Sequence, residues 1–125
     1  MNYQSAAQSY NVVRNQSGVE NASPHRLIDM LFEGLQERIT QAKGAIQYKN
    51  VEMKGSRINS AISIINGLRE NLNTDDGGEI AENLDGLYIY IQKILAQAHI
   101  ENNETLLTEA SELIENIHSA WREIG

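Results

Sequence analysis

Apolar residues recur every three or four positions through four long stretches of the chain, with mostly polar residues between them. This spacing puts the apolar side chains on one helix face, so it predicts four amphipathic helices at about residues 24–48, 51–72, 79–100 and 104–124. β-branched residues do not alternate with polar residues, so no strand is predicted. The apolar stripe of the first helix comprises Ile28, Leu31, Phe32, Leu35, Ile39, Ala42 and Ile46.

The first, second and fourth predicted helices each begin after a Ser or Asn residue that can cap them. Ser23 is a favourable N-cap residue, and Pro24 suits the first helical position because its missing N–H would be unpaired there anyway. Asn50 stands in the same capping place before the second helix. Asn102 and Asn103 separate the third and fourth apolar stretches, so we expect them to end the third helix and cap the fourth.

A turn separates the second and third helices. Residues 73–78 read Asn-Thr-Asp-Asp-Gly-Gly, after which we expect Asp76 to cap the third helix and Glu79 to complete a capping box. Short connections between helices of similar length place sequential helices antiparallel. The predicted fold class is therefore all-α, an antiparallel up-down-up-down four-helix bundle over residues 23–125.

Residues 1–22 form a polar N-terminal arm rich in Gln, Asn, Ser and Ala. One interpretation is a frayed terminus, because the arm has few apolar groups to bury. The other is a docking segment, anchored by Tyr10 and Val13, that lies on the bundle or across a groove. The sequence alone leaves both interpretations open.

Charge and composition restrict the class of partner. The 125 residues include no cysteine and carry a net charge of −7, divided as +2 over residues 1–62 and −9 over residues 63–125. An acidic half argues against nucleic acid, whose phosphates need a basic surface. The N-terminus does not resemble a secretory signal, and no apolar run is long enough to span a membrane. We therefore expect a cytoplasmic protein with no membrane insertion.

The chain offers little for metal binding or catalysis. Di-iron bundles need two inward Glu-x-x-His pairs, and here only Glu115 and His118 have that spacing, which is half a site. His118 is accordingly interpreted as a surface or boundary residue. Gly77-Gly78 lacks the strand and lysine of a phosphate loop. The sequence therefore predicts no cofactor, no metal and no enzymatic activity.

Apolar residues outside the core stripes point instead to binding. Singly, such residues are common on protein surfaces. Collected in grooves between helices, they would accept an amphipathic helix or an extended chain. The residues in question are Leu27, Met30, Ile64, Tyr88, Ile89, Tyr90 and Ile100.

Four segments, in this order, resemble a known family. They are the arm with Tyr10, the first-helix opening at residues 23–34, the turn and helix start at residues 77–88, and the last helix from Asn102 to Trp121. Together they resemble the flagellar secretion chaperone FliS family, and the resemblance covers nearly the whole chain. Asn103 is a small departure, since Asp is common at that position in the family.

The resemblance implies a four-helix bundle that binds the disordered C-terminal segment of flagellin in apolar grooves. Such binding prevents premature polymerisation in the cytoplasm, and the complex docks at the flagellar type III export gate. In the family the arm can cover a groove and be displaced by flagellin, which would give Tyr10 and Val13 the role of a placeholder. An arm of this type could also be exchanged in a homodimer.

The candidate flagellin-binding residues combine the surplus apolar groups with two neighbours on the helices. A helical adaptor or regulatory protein that uses the same grooves for another partner remains the alternative. The candidate contacts are Leu27, Met30, Leu31, Ile64, Leu68, Tyr88, Ile89, Tyr90 and Ile100.

Overall fold

The computed structural model describes the chain from residue 22 to residue 124. Its helices are α1 (Pro24–Gln47), α2 (Val51–Glu70), α3 (Thr74–Glu101) and α4 (Glu104–Glu123). Each helix packs against two others, in the cyclic order α1, α2, α3, α4. No strand occurs in this part of the chain. The predicted all-α four-helix bundle is confirmed.

The predicted caps of α1, α2 and α4 are confirmed. The Ser23 hydroxyl accepts the backbone N–H of Arg26 at 3.1 Å, and the Asn50 side chain accepts that of Met53 at 3.0 Å. Asn103 likewise accepts an N–H from the first turn of α4 at 3.3 Å. Each cap pairs one of the backbone donors that the start of a helix leaves free.

The start of α3 differs from the prediction. Asn73, not Asp76, is the N-cap, and its side chain accepts the N–H of Asp76 at 3.1 Å. One helical turn then forms before a kink at Gly78, whose backbone has φ 53° and ψ −131°. Because a second glycine precedes the kink, the chain can bend here at low steric cost. The predicted turn is thus built into the helix as its bent first turn.

Two glycines in α3 should respond oppositely to alanine. Gly78→Ala is expected to destabilise the bundle by about 1–3 kcal/mol, because the residue adopts a backbone conformation that side chains disfavour. Gly86→Ala should stabilise it by about 0.5–1 kcal/mol, since Gly86 lies inside the helix with no atom within 4 Å of an added methyl group. Urea unfolding of both variants provides the measurement. Equal effects in the two variants would show that the kink is not maintained in solution.

The core corrects the interpretation of Met30 and Ile64 as surplus apolar residues, and it also buries the candidate contact Leu31. Met30 and Ile64 are only 1% exposed and Leu31 is fully buried, so none of the three lies at the surface of the isolated bundle. The reason is geometric: α1 packs against both α2 and α4, and α2 against both α1 and α3. A helix with two neighbours buries a wider arc than one stripe.

Polar contacts fix the antiparallel arrangement of α1 and α4. The Gln36 side chain pairs with Ser111, and farther along α1 the Lys43 ammonium donates to the Thr108 hydroxyl at 2.9 Å. The contact partner therefore moves backward along α4 as α1 advances.

None of the helices in the described chain has the length and apolar character that crossing a membrane would require.

Candidate binding groove

An apolar groove of about 610 Å³ opens at the end of the bundle where α1 and α3 begin and α2 and α4 end. We call it the end groove. Its volume falls within the range of about 300–1,000 Å³ that is typical of ligand sites. All four helices contribute to its lining, which comprises Ile28, Phe32, Leu68, Asn71, Leu72, Ile80, Leu84, Leu87, Tyr88, Leu113, Asn116, Ile117, Ala120, Trp121 and Ile124.

The groove combines a buried floor with an exposed apolar rim. Phe32, Leu68 and Tyr88 lie at most 3% exposed, whereas Ile80 and Ile124 at the rim are 81% and 75% exposed. Burial raises the pKa of Tyr88, so the phenol stays neutral over the physiological range. Apart from this phenol, the polar side chains in the lining are two asparagines. Concentrated exposed apolar surface of this kind is typical of a binding site.

One wall of the groove is fastened by a reciprocal contact between α1 and α4, which we call the His25–Trp121 clasp. The His25 Nε2–H donates to the Trp121 carbonyl at 2.9 Å, and the Trp121 indole N–H donates to the His25 carbonyl at 3.1 Å. Their rings stack with centroids 4.6 Å apart and planes 6° from parallel. The clasp holds the indole in place as part of the groove wall.

A hydrogen bond with a buried histidine lies beneath this wall. His118 is 1% exposed, its Nε2 bonds to the Asp29 carboxylate, and its ring stacks on Phe32 with centroids 4.9 Å apart. Asp29 also binds Arg26, and Arg122 approaches it to 3.6 Å. The interpretation of His118 as a surface or boundary residue is therefore wrong. Its position on α4, four residues after buried Ile114, was a signal of burial.

The surroundings of Asp29 favour its charged form. Burial by itself raises the pKa of Asp29, but hydrogen bonds from His118 and Arg26, with their positive charges, outweigh burial and lower the pKa below its ordinary value. The carboxylate thus joins the first turns of α1 to the last turns of α4.

Residues 22–124 contain no group of three or more His, Cys, Asp or Glu side chains arranged to hold a metal.

The structure divides the candidate contact residues among several locations. Leu68 and Tyr88 line the end groove, and Leu27 packs half-buried against the core. Tyr90 donates its hydroxyl to Glu109 at 2.6 Å across the α3–α4 seam, outside the groove. Exposed Ile89 is likewise absent from the groove lining, and Ile100 lies near the end of α3, at the opposite end of the bundle. Contact with a partner stays a prediction for each of them.

The arm anchors Tyr10 and Val13 lie outside the described residues, so their role also stays a prediction. Several groove residues were missed because their helical spacing puts them on the apolar faces of α3 and α4, which the sequence assigns to the core. Helical spacing shows that such residues share one face of a helix. It does not show where neighbouring helices cease to cover that face. The missed residues include Leu84, Leu113, Ile117 and Trp121.

Comparison with known proteins places the whole described bundle within one match. The family model described as flagellar protein FliS matches residues 6–125. The chain is 43% identical over 116 residues to flagellar secretion chaperone FliSB of Pseudomonas aeruginosa, covering 93% of this chain and 92% of the relative. It is 41% identical to flagellar secretion chaperone FliS of Vibrio cholerae, covering 94% and 86%, and 40% identical to that of Salmonella typhimurium, covering 97% and 90%.

Proposed function

The chain belongs to the FliS family of flagellar secretion chaperones, and from this premise we propose that it binds the disordered C-terminal segment of flagellin in the end groove. Flagellin held in this way cannot polymerise prematurely in the cytoplasm. The complex is then delivered to the flagellar type III export apparatus, where a component of the export gate is a further partner.

The observation that carries this proposal is the end groove itself. A segment that orders on binding loses conformational entropy, so it needs apolar contacts spread over a large surface. The groove offers about 610 Å³ lined by all four helices, with exposed isoleucines at its rim. A lining of aliphatic and aromatic side chains with two asparagines is suited to binding a polypeptide segment rather than to catalysing a reaction on it.

Calorimetric titration with the C-terminal segment of the host's flagellin tests the proposal. Saturable binding with a negative heat-capacity change is expected, because apolar surface is buried. Circular dichroism at the same concentrations verifies that the bundle is folded. A folded bundle that gives no saturable heat contradicts the proposal, and binding of other helical segments instead would favour an adaptor.

Deletion of residues 1–15 is expected to speed or tighten flagellin binding if the arm covers the groove. The arm joins the bundle just before Pro24, and Ile28, one turn farther, already lines the groove. Covering the groove and binding flagellin would then compete for the same apolar residues. Fluorescence of Trp121, the single tryptophan of the chain, gives the association rate from the groove wall.

A variant that retains the arm with Tyr10→Ser and Val13→Ser is the matched control for chain length. If the two anchors hold the arm in place, this variant should behave like the deletion. Association rates that are unchanged in both variants would exclude a lid role for the arm.

A further inference from the structure

We propose that the segment held in the end groove carries Lys or Arg side chains beside its apolar anchors, and that these cations bind a row of carboxylates on the α3–α4 side of the groove. This inference rests on the proposed function, because it specifies the chemistry of the segment that the groove receives. The row consists of Glu79, Glu112 and Glu123, and we call it the acidic rim.

Two members of the acidic rim stand next to apolar rim residues of the groove in the sequence. Glu79 immediately precedes Ile80, and Glu123 immediately precedes Ile124, the two exposed isoleucines of the lining. Glu112 lies one helical turn before Asn116, which also lines the groove. All three carboxylate-bearing residues are exposed to solvent.

Helical geometry places Glu112 and Glu123 on the side of α4 nearest α3. Glu109 marks this side, because it accepts the hydroxyl of Tyr90 from α3. Glu112, Asn116 and Glu123 follow Glu109 at spacings that keep them on the same side of the helix. On α3, Glu79 precedes Tyr90 by eleven residues, about three helical turns, so it lies on the side of α3 from which Tyr90 reaches α4. A chain in the groove therefore passes these carboxylates where it enters from the α3–α4 side.

The carboxylates of the acidic rim, like several others on α3 and α4, have no cation of their own in the described part of the chain. Asp85 pairs with Arg69, and Glu115 approaches Arg122. Within residues 22–124, by contrast, no Lys, Arg or His lies within ion-pairing distance of any member of the acidic rim.

The wider charge distribution strengthens this contrast. Helices α3 and α4 carry six and five Asp or Glu residues against Lys93 and Arg122 alone. Like charges gathered around an apolar groove repel one another and attract a complementary chain. Apolar contacts would then supply most of the affinity, whereas the charges would select segments with cations in the right register.

The test is the salt dependence of binding, measured with a synthetic peptide of the host flagellin C-terminal segment. Because salt screens exposed charges, binding to the unmodified protein should weaken by about tenfold between 50 mM and 500 mM NaCl. The triple variant Glu79→Gln, Glu112→Gln, Glu123→Gln should bind about tenfold more weakly at 50 mM NaCl and lose most of the salt dependence. A second peptide with Gln at its Lys and Arg positions should reproduce this behaviour with the unmodified protein.

The matched control removes the same charge at the opposite end of the bundle, through Glu52→Gln, Glu101→Gln and Glu104→Gln. It should bind the peptide like the unmodified protein, and thermal unfolding shows that both triple variants fold. Tight binding that is indifferent to salt and to the acidic rim would overturn this inference and leave the proposed function standing. Equal weakening by both triple variants would overturn it too, and absence of binding at every salt concentration would overturn both proposals.

Discussion

Replacing Ile80 and Ile124 together with Glu is expected to weaken flagellin binding by at least about a hundredfold while the bundle stays folded. These side chains are 81% and 75% exposed in the free protein, so charging them costs the fold little. In the complex each would be buried against the client. Burial of one such side chain contributes about 1.5–3 kcal/mol, and an unpaired carboxylate in its place adds a desolvation cost.

Val51→Glu is the control for this double variant. Val51 is 71% exposed but begins α2, at the other end of the bundle, so its change should leave binding within about twofold of the unmodified protein. Ile100→Glu measures whether the client extends that far along α3. Calorimetry gives the affinities, and a double variant that binds normally would exclude the end groove as the client site.

Removing the Asp29 carboxylate is expected to give the largest loss of stability among polar substitutions in the described bundle. Asp29→Ala leaves the buried His118 Nε2 without its acceptor and withdraws the counter-charge of Arg26 and Arg122. Orphaning such groups costs about 2–3 kcal/mol. Asp29→Asn keeps an acceptor oxygen for His118 Nε2, so it should cost about half as much. Urea unfolding at pH 7 measures both changes.

The effect of Asp29 should also depend on pH. Since the folded state lowers the pKa of Asp29, the carboxylate stabilises the protein fully above its unfolded pKa of about 4, and this contribution is lost as the pH falls through the lower folded pKa. The stability difference between the unmodified protein and Asp29→Ala should therefore shrink below about pH 4.

Glu33→Ala provides the comparison for the loss of a carboxylate that also binds Arg26. The side chain of Glu33 is 44% exposed, against 15% for that of Asp29, so its removal should cost less than about 1 kcal/mol. Equal losses in the two variants would mean that Asp29 acts as an ordinary surface carboxylate.

The sequence predicted the fold because the signals for it are local. Apolar spacing, the Ser23 and Asn50 caps and the Asn102-Asn103 break all act within a few residues, and the structure bears them out. The start of α3 was misassigned because Asn73 and Asp76 are both favourable caps. Only the backbone geometry at Gly78 shows that an extra helical turn precedes the bend.

The binding site was less predictable because burial depends on neighbours distant in sequence. Met30 and Ile64 seemed surplus on a helical wheel, yet each lies between two packed helices. Trp121 and Leu113 lie on the apolar face of α4, which a helical wheel assigns to the core, yet they line the open end of the bundle. The pairing of Asp29 with His118 joins positions 89 apart, which no local pattern reveals.

The His25–Trp121 clasp also has a consequence for the order of events during synthesis. Its partners lie 96 positions apart, so the wall they form cannot close until Trp121 has left the ribosome. Helices α1 and α2 can pair earlier, because only a short connection separates them. Until then Ile28 and Phe32 lack their α4 partners. The end groove is therefore complete only after α4 has been made, and a chain that terminates within α4 before Trp121 lacks this wall.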